Sequence, residues 1–371
     1  MQDLIETALK QGNYPAAADL LQQWKRKDPR DPWLLLAIAQ YQEAIGKWET
    51  AERTYLKLLQ KAALPKLMGH ARQGIQRVQT HLLQAREAAL ATARSSPDSD
   101  APGILCLEPV RGEAARTAAA QGLAKILQID PYMARLQLPS KGWRLHRVGP
   151  LGELRFLGES LRAAQTPAFW VNQTELKQIQ TFQVNYFRSV GAQGTVVCQN
   201  ETGQLGEIGF DWAEISQAVT GSLPLFESVL DRDAWGKLER KEKTQDYAEV
   251  IDLHLRERRC ILRLCDRAYE FKHGNPLPDL APQETASPSR RRQWNALRDY
   301  VLNQVSGPIQ SGFTNFGEGA LEYIDLMPFF EAHMPLVRRQ DTPWDAAFHL
   351  YSGLHFVRSS PESADRSHQP G

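Results

Sequence analysis

Three side chains whose types could cooperate in proton transfer fall close together within residues 248–271: Asp252, His254 and Arg263. The segment reads as a hairpin. A turn at Arg256-Glu257-Arg258-Arg259 pairs Leu255 with Cys260, Leu253 with Leu262 and Ile251 with Leu264 on one face. Because side chains alternate along a strand, the other face sets Asp252 opposite Arg263 and His254 opposite Ile261. A carboxylate, an imidazole and a guanidinium on one sheet face could form an acid–base site, so these three are the candidates for catalysis. The plainer expectation is a cross-strand Asp–Arg pair beside a surface histidine.

Other chemistry is not written locally. The chain has no Gly-x-Ser-x-Gly elbow, His-Glu-x-x-His, Cys-x-x-Cys pair, Walker loop or complete dinucleotide fingerprint. Gly317-Glu-Gly319 lacks a third glycine and a preceding strand, and Gly149-Pro-Leu-Gly152 lacks the spacing and the lysine of a phosphate loop. The nine histidines do not fall at metal-ligand spacing. Cys260 and Cys265, five apart on one strand, point to opposite faces and form neither a disulfide nor a metal clip with each other. No metal and no cofactor is expected, and the chain reads as non-enzymatic, although catalytic groups drawn from distant segments would leave no local signature.

The elements that would hold such residues must come from a chain of 371 residues, enough for two or three domains. With 42% hydrophobic and 23% charged residues, the composition is that of an ordinary globular protein. A net charge of +1 gives no global field toward nucleic acid, and no nucleic-acid partner is expected. The charge is unevenly spread: residues 1–96 carry 14 basic and 9 acidic side chains, whereas residues 173–235 carry 3 and 8. Four cysteines do not make a disulfide scaffold. The start, Met1-Gln2-Asp3-Leu4, has no signal pattern, and the apolar run from Trp33 to Ala39 is too short to span a bilayer. No transmembrane segment and a cytoplasmic location are expected.

Residues 1–64 are internally repetitive. Gly12-Asn13-Tyr14 with Ala17, Leu21, Trp24 and Pro29 matches Gly46-Lys47-Trp48 with Ala51, Tyr55, Leu58 and Ala63. The two glycines lie 34 residues apart, the period of a helix–turn–helix solenoid. Glycine supplies the tight turn, the small alanine lets two helices approach, and the large residue four positions later fills the gap between repeats. These residues resemble the tetratricopeptide (TPR) repeat family over the first quarter of the chain. Two departures stand out: Gln42 occupies a usual aromatic position, and the closing proline is shifted to Pro65. The resemblance implies a concave groove for a protein or peptide partner, lined by Thr7 and Lys10, by Trp33, Gln40 and Glu43, and by His70 and Arg77. Trp33 is the expected anchor. Residues 65–94 read as one or two further helices that complete the module, with His70, Arg72, Arg77, His81 and Arg86 on an exposed side.

Downstream, residues 95–103 read as a linker, and residues 104–172 as a small β-α-β-α-β sandwich, for which a ferredoxin-like arrangement is one solution. Residues 173–273 read as strand-rich, with a helix-like stretch from Asp211 to about Gly221 and a solvated helix end in the charged run Arg240–Asp246. A second linker is expected at 274–289, a helical and aromatic tail at 290–357, and disorder at 358–371. Arg290-Arg291-Arg292 at a helix start invites an anionic partner. Thr342-Pro343-Trp344-Asp345 starts a helix whose stripe Trp344, Phe348, Tyr351 and Leu354 or His355 is expected to pack on its own domain. Docking on a partner or peripherally on a membrane is the other option. The expected fold class is α+β. The run 240–271 and the tail also resemble cyanobacterial TPR proteins, which implies a scaffold or assembly-regulatory role. The alternative is a ligand-binding or catalytic α+β domain, built around Asp252, His254 and Arg263 and recruited by the repeats.

Overall fold

The computed structural model describes residues 1–61, 64–232, 238–273, 289–330 and 342–358, with backbone alone for 227–232, 238–243 and 245. The chain divides into two compact units, Met1–Ser95 and Ser96–Gly371. The expected linker at 274–289 and tail at 358–371 fall outside the described residues, apart from Ser289 and Arg358.

The first unit is helical: α1 (Gln2–Lys10), α2 (Tyr14–Lys27), α3 (Pro32–Ala44), α4 (Trp48–Lys61) and α5 (Pro65–Arg94). The turns from α1 to α2 and from α3 to α4 are built alike. Gly12 and Gly46 have φ of 70° and 76°, a left-handed backbone that favours glycine. In the first turn Gly12, Asn13 and Ala17 donate their amides to Leu9, Ala8 and Asn13. In the second, Gly46, Lys47 and Ala51 donate to Glu43, Gln42 and Lys47, so every donor and acceptor is displaced by one repeat length. Ala17 and Ala51 are fully buried, and Leu21, Trp24, Tyr55 and Leu58 fill the space beside them. The departure at Gln42 has a local account, because its Oε1 accepts from Thr54 Oγ1 at 2.8 Å and ties α3 to α4.

Residues 65–94 form one helix rather than two. Leu67, Ala71, Gly74 and Val78 bury its first half, while the second half is largely exposed. Gly74 lies flush against the Tyr55 ring, where an added Cβ would sit 2.4 Å from Cζ. Alanine in place of glycine within a helix usually stabilises by roughly 0.5–1 kcal/mol. Here the sign reverses: Gly74→Ala is expected to destabilise the helical unit by roughly 1–3 kcal/mol, as overpacking does. A urea melt showing a more stable variant would contradict this packing.

The second unit comprises β1 (Pro102–Leu107), α6 (Glu113–Leu127), α7 (Pro131–Gln137), β2 (Arg144–Pro150), α8 (Leu151–Ala163), β3 (Ala168–Asn172) and α9 (Gln173–Lys177). There follow β4 (Gln180–Ser189), β5 (Gln193–Gln199), β6 (Leu205–Asp211), β7 (Ile215–Arg232), β8 (Leu238–Leu255) and β9 (Cys260–Cys265). The last elements are α10 (Arg290–Gln304), β10 (Ile309–Gln310), α11 (Phe313–Ala320) and α12 (Pro343–Arg358). The class is α+β.

A three-stranded sheet runs in the order β2-β1-β3, and β1 is antiparallel to both neighbours. Strands β2 and β3 are therefore parallel to each other, and β2-α8-β3 is a split β-α-β unit with β1 between its strands. The connection through α6 and α7 instead returns the chain antiparallel in the adjacent strand β2, so the sheet departs from the ferredoxin-like expectation, in which both β-α-β units are split. The expected linker at 95–103 is also packed: Ser99 is buried, and the first amides of α8, Leu151 and Gly152, donate to the carbonyls of Ala101 and Ser99. Those amides have no partner within their own helix, so the segment caps it.

The larger sheet has the order β10-β7-β8-β9-β4-β5-β6. Strands β6 and β7 are five spacings apart, about 24 Å if the sheet were flat, yet they are joined only by the turn Trp212–Glu214. Four residue steps reach roughly 14 Å at most, so the sheet must curl. The helix-like stretch expected from Asp211 to Gly221 is therefore only that 3-10 turn, and β7 begins at Ile215. The charged run Arg240–Asp246 is strand backbone paired with β7, not a helix end.

Inside the curl sits α10, with Trp294, Leu297 and Val301 against Leu253, Leu262 and Leu264. On the opposite face of β7–β9, α11 and α12 fill the space up to the three-stranded sheet, which contributes Ile104, Cys106 and Val171. That sheet's other face is covered by α6, α7 and α8. The segment expected as a tail is thus the interior of the second unit.

Candidate functional site

Strands β8 and β9 pair Asp252 with Arg263, Leu253 with Leu262 and His254 with Ile261, the register read from the sequence. Asp252, His254 and Arg263 therefore share a face, but they are completely buried, which overturns the surface position expected for the histidine. The reason is α12, which lies over them. Cys260 and Cys265 pack in opposite cores, as the strand period requires, and all four cysteines are free and buried.

The buried layer is hydrogen-bonded at most of its polar atoms, although Gln217 Oε1 has no hydrogen-bond partner. Arg263 donates from Nε to Asp252 Oδ1 at 2.8 Å and from Nη2 to Oδ2 at 2.6 Å, and its guanidinium lies 5.2 Å from the Phe348 ring centre. Gln217 Nε2 lies 2.9 Å from the His355 carbonyl and 3.0 Å from His254 Nδ1. The carbonyl can only accept, which fixes the amide orientation. His254 Nδ1 is then the acceptor, its proton sits on Nε2, and Nε2 donates to Ser352 Oγ at 2.9 Å. Burial, with Arg256 and Arg263 adding repulsion, pushes the His254 pKa down to about 3. Burial likewise takes His355 to about 3 and His146 to about 4.

Both carboxylate oxygens and both imidazole nitrogens are thus engaged inside the protein, away from any substrate. The set clamps α12 to the sheet; it is not laid out as an acid–base site. Removing one ion of a buried pair leaves the other uncompensated, at a cost of about 3–5 kcal/mol. Arg263→Met is expected to lose that much in a denaturant melt, and adding Asp252→Leu should restore most of it. A single substitution as mild as the double would contradict the pairing.

The pH dependence has a definite sign. A histidine with a depressed folded pKa contributes fully above its unfolded value near 6.5, and loses that contribution as pH falls toward about 3. From pH 7 to pH 5, His254 alone is expected to withdraw about 2 kcal/mol. Urea melts of wild type and His254→Asn at both pH values check it, since the gap between them should narrow by that amount at pH 5. An unchanged gap would contradict the neutral buried ring.

A second charged cluster surrounds the start of α10. Arg290 donates to the carbonyls of Asp266, Arg267 and Tyr269, Arg291 pairs with Glu249, and Arg267 pairs with Asp246. Two of the three arginines that suggested an anionic partner are consumed internally. Among the described residues no group of three or more His, Cys, Asp or Glu is placed to hold a metal. No helix among them is long and apolar enough to cross a membrane.

In the helical unit, the predicted groove residues come from α1, α3 and α5. Glu43 receives two bonds from Arg77, at 2.8 and 3.0 Å, and a third from Tyr55 Oη at 2.7 Å. Burial and the Glu43 carboxylate both push the Tyr55 pKa up. Glu43 and Arg77 stand one repeat apart in sequence, so the period itself signalled that they would meet across adjacent helices. They form an inter-repeat clamp. Trp33 is half-buried, with its ring centre 6.1 Å from that of His70. His70 also adds its field to Glu6, whose pKa is lowered first by its bond to Lys10. Thr7, Lys10 and His70 are exposed, and Gln40 is half-buried. Of the residues predicted for a groove, the structure brings Trp33 together with His70 and Glu43 together with Arg77, while Lys10 pairs with Glu6 on its own helix. A stacked pair, Trp48 on His81 at 3.8 Å, joins α4 to α5.

Compared with family models, curated proteins and solved structures, the chain matches none.

Proposed function

We propose that the protein is a non-enzymatic interaction factor of the TPR type, a scaffold or assembly-regulatory protein of the cytoplasm, which receives a protein or peptide segment along α1, α3 and α5. The observation that carries this reading is the set of main-chain hydrogen bonds that recurs at the turns at Gly12 and Gly46, one repeat length apart. Such a repetition stacks first helices side by side and leaves their common face to a ligand. Trp33 supplies the aromatic anchor, and Thr7, Lys10, Gln40 and His70 the adaptable polar contacts. The second unit acts as a further contact surface, because the residues that suggested catalysis are spent in its core.

Glu43 and Trp33 are poor probes, since both support the fold. Thr7→Arg combined with Gln40→Arg and His70→Glu changes only exposed or half-buried polar positions. Crosslinking capture from a native lysate with wild type is expected to yield specific partners, and the triple variant should lose them at an unchanged thermal melt. Partners retained by the folded variant would refute the groove.

A further inference from the structure

Strand β9 ends at Cys265 while β8 runs on beyond it, and a cleft of about 810 Å³ opens at that step. Its wall carries three carboxylates, Asp246, Glu249 and Asp266, and three guanidiniums, Arg267, Arg290 and Arg291. The charges balance, but the hydrogen bonds do not. Asp246 accepts from the Tyr247 amide and from Arg267, and Glu249 accepts from Arg291 and from the Trp294 indole, so all four of those oxygens are engaged. Asp266 differs. The Glu249 amide, at 3.1 Å, and the more distant Cys265 thiol both donate to Oδ1, and Oδ2 has no hydrogen-bond partner among the described residues. The residue is only 7% exposed, and burial raises its pKa above the ordinary carboxylate value. A buried acceptor left without a donor costs roughly 1–3 kcal/mol, which a ligand N–H group at Oδ2 would recover.

Free donors lie in the same wall. Arg267 and Arg291 each reach their carboxylate through Nη2 alone, so Nε and Nη1 of both are unbonded among the described residues. Glu249 holds the two kinds of group together, since its amide bonds Asp266 and its carboxylate bonds Arg291. The free oxygen and a free guanidinium edge are therefore one side chain apart, within the span of a small molecule. A ligand of net charge would upset the balanced wall, whereas a zwitterion keeps it. Tyr247 adds a ring that is 52% exposed.

We propose that this cleft binds a free α-amino acid with an aromatic or large apolar side chain. Its ammonium donates to Asp266 Oδ2, its carboxylate accepts from the unbonded N–H groups of Arg267 and Arg291, and its side chain lies on the Tyr247 ring. The site is built wholly from the second unit and does not depend on the helical groove.

Isothermal titration of the full chain with L-phenylalanine and with L-leucine is expected to show saturable binding of at least one of them below about 1 mM. Removing either ligand charge, in the N-acetyl amino acid or in the amino acid amide, should weaken binding at least roughly tenfold, as the loss of a charge-assisted hydrogen bond does. Asp266→Asn keeps an acceptor for the Glu249 amide and puts a donor where Oδ2 stood, so it should weaken binding by a similar factor. The two ligand analogues keep the test decisive if that variant fails to fold. Absence of saturable binding by both amino acids, equal binding of either analogue, or equal binding by folded Asp266→Asn would each overturn the proposal.

Discussion

Helix α12 has no solvent face through its central turns. From Ala347 to Phe356 only His349 escapes full burial, because one side meets the three-stranded sheet and the other meets β7–β9. A helix in that position must satisfy polar groups on whatever it covers, since burying an unpaired charge or amide costs several kcal/mol. The face of β7–β9 that it covers is partly polar: Gln217, Asp252, His254 and Arg263 are buried there among Val219, Val250 and Ile261. Ser352 and the His355 carbonyl supply the matching partners from α12. Register, helix position and sheet separation are therefore set by one network.

That network explains why a plausible catalytic trio turned out to be structural. The alternation that put Asp252, His254 and Arg263 on one face was legible, because strand period depends only on local backbone geometry. Which face would be wet was not legible. It depends on a helix that begins 80 residues after Arg263, and no local pattern carries that distance. The same limit applies to α12 itself. An apolar stripe marks a half-buried helix, whereas Leu350, Ser352, Gly353 and Phe356 lie off the stripe and are buried too.

The helical unit was more legible because its contacts are repetitive and short in range. Turn glycines, packing alanines and the large residues four positions later recur at one spacing, and the structure places each in an equivalent setting. The Glu43–Arg77 clamp lay within reach of the same reasoning and was read instead as two free groove residues. Its partner Tyr55 sits at the position that packs between repeats, so the clamp ties Glu43 and Arg77 to the core between the helices. The end of the module was less legible. Residues 65–94 keep helical spacing throughout, and nothing in that spacing distinguishes two helices from one whose second half lacks a packed neighbour.

The curl of the large sheet links its interior to its exposed edge. A chain that leaves β6 and enters β7 within three residues must bring the two ends of the sheet together, and α10 enters the enclosed space with an indole, Trp294, bonded to Glu249. Full closure would have joined β6 to β7 and left no edge. Closure is blocked because β7 already pairs with β10 along Ala218–Val219, and Gly307 approaches Ser216 so closely that a Cβ there would meet its carbonyl at 2.0 Å. The segment that completes the α10 side of the core is thus the one that leaves β6 open. Arg258 and Glu214 stabilise only the end of that strand nearest the turn. The open edge of β6 is a consequence of how the sheet is closed around its helix.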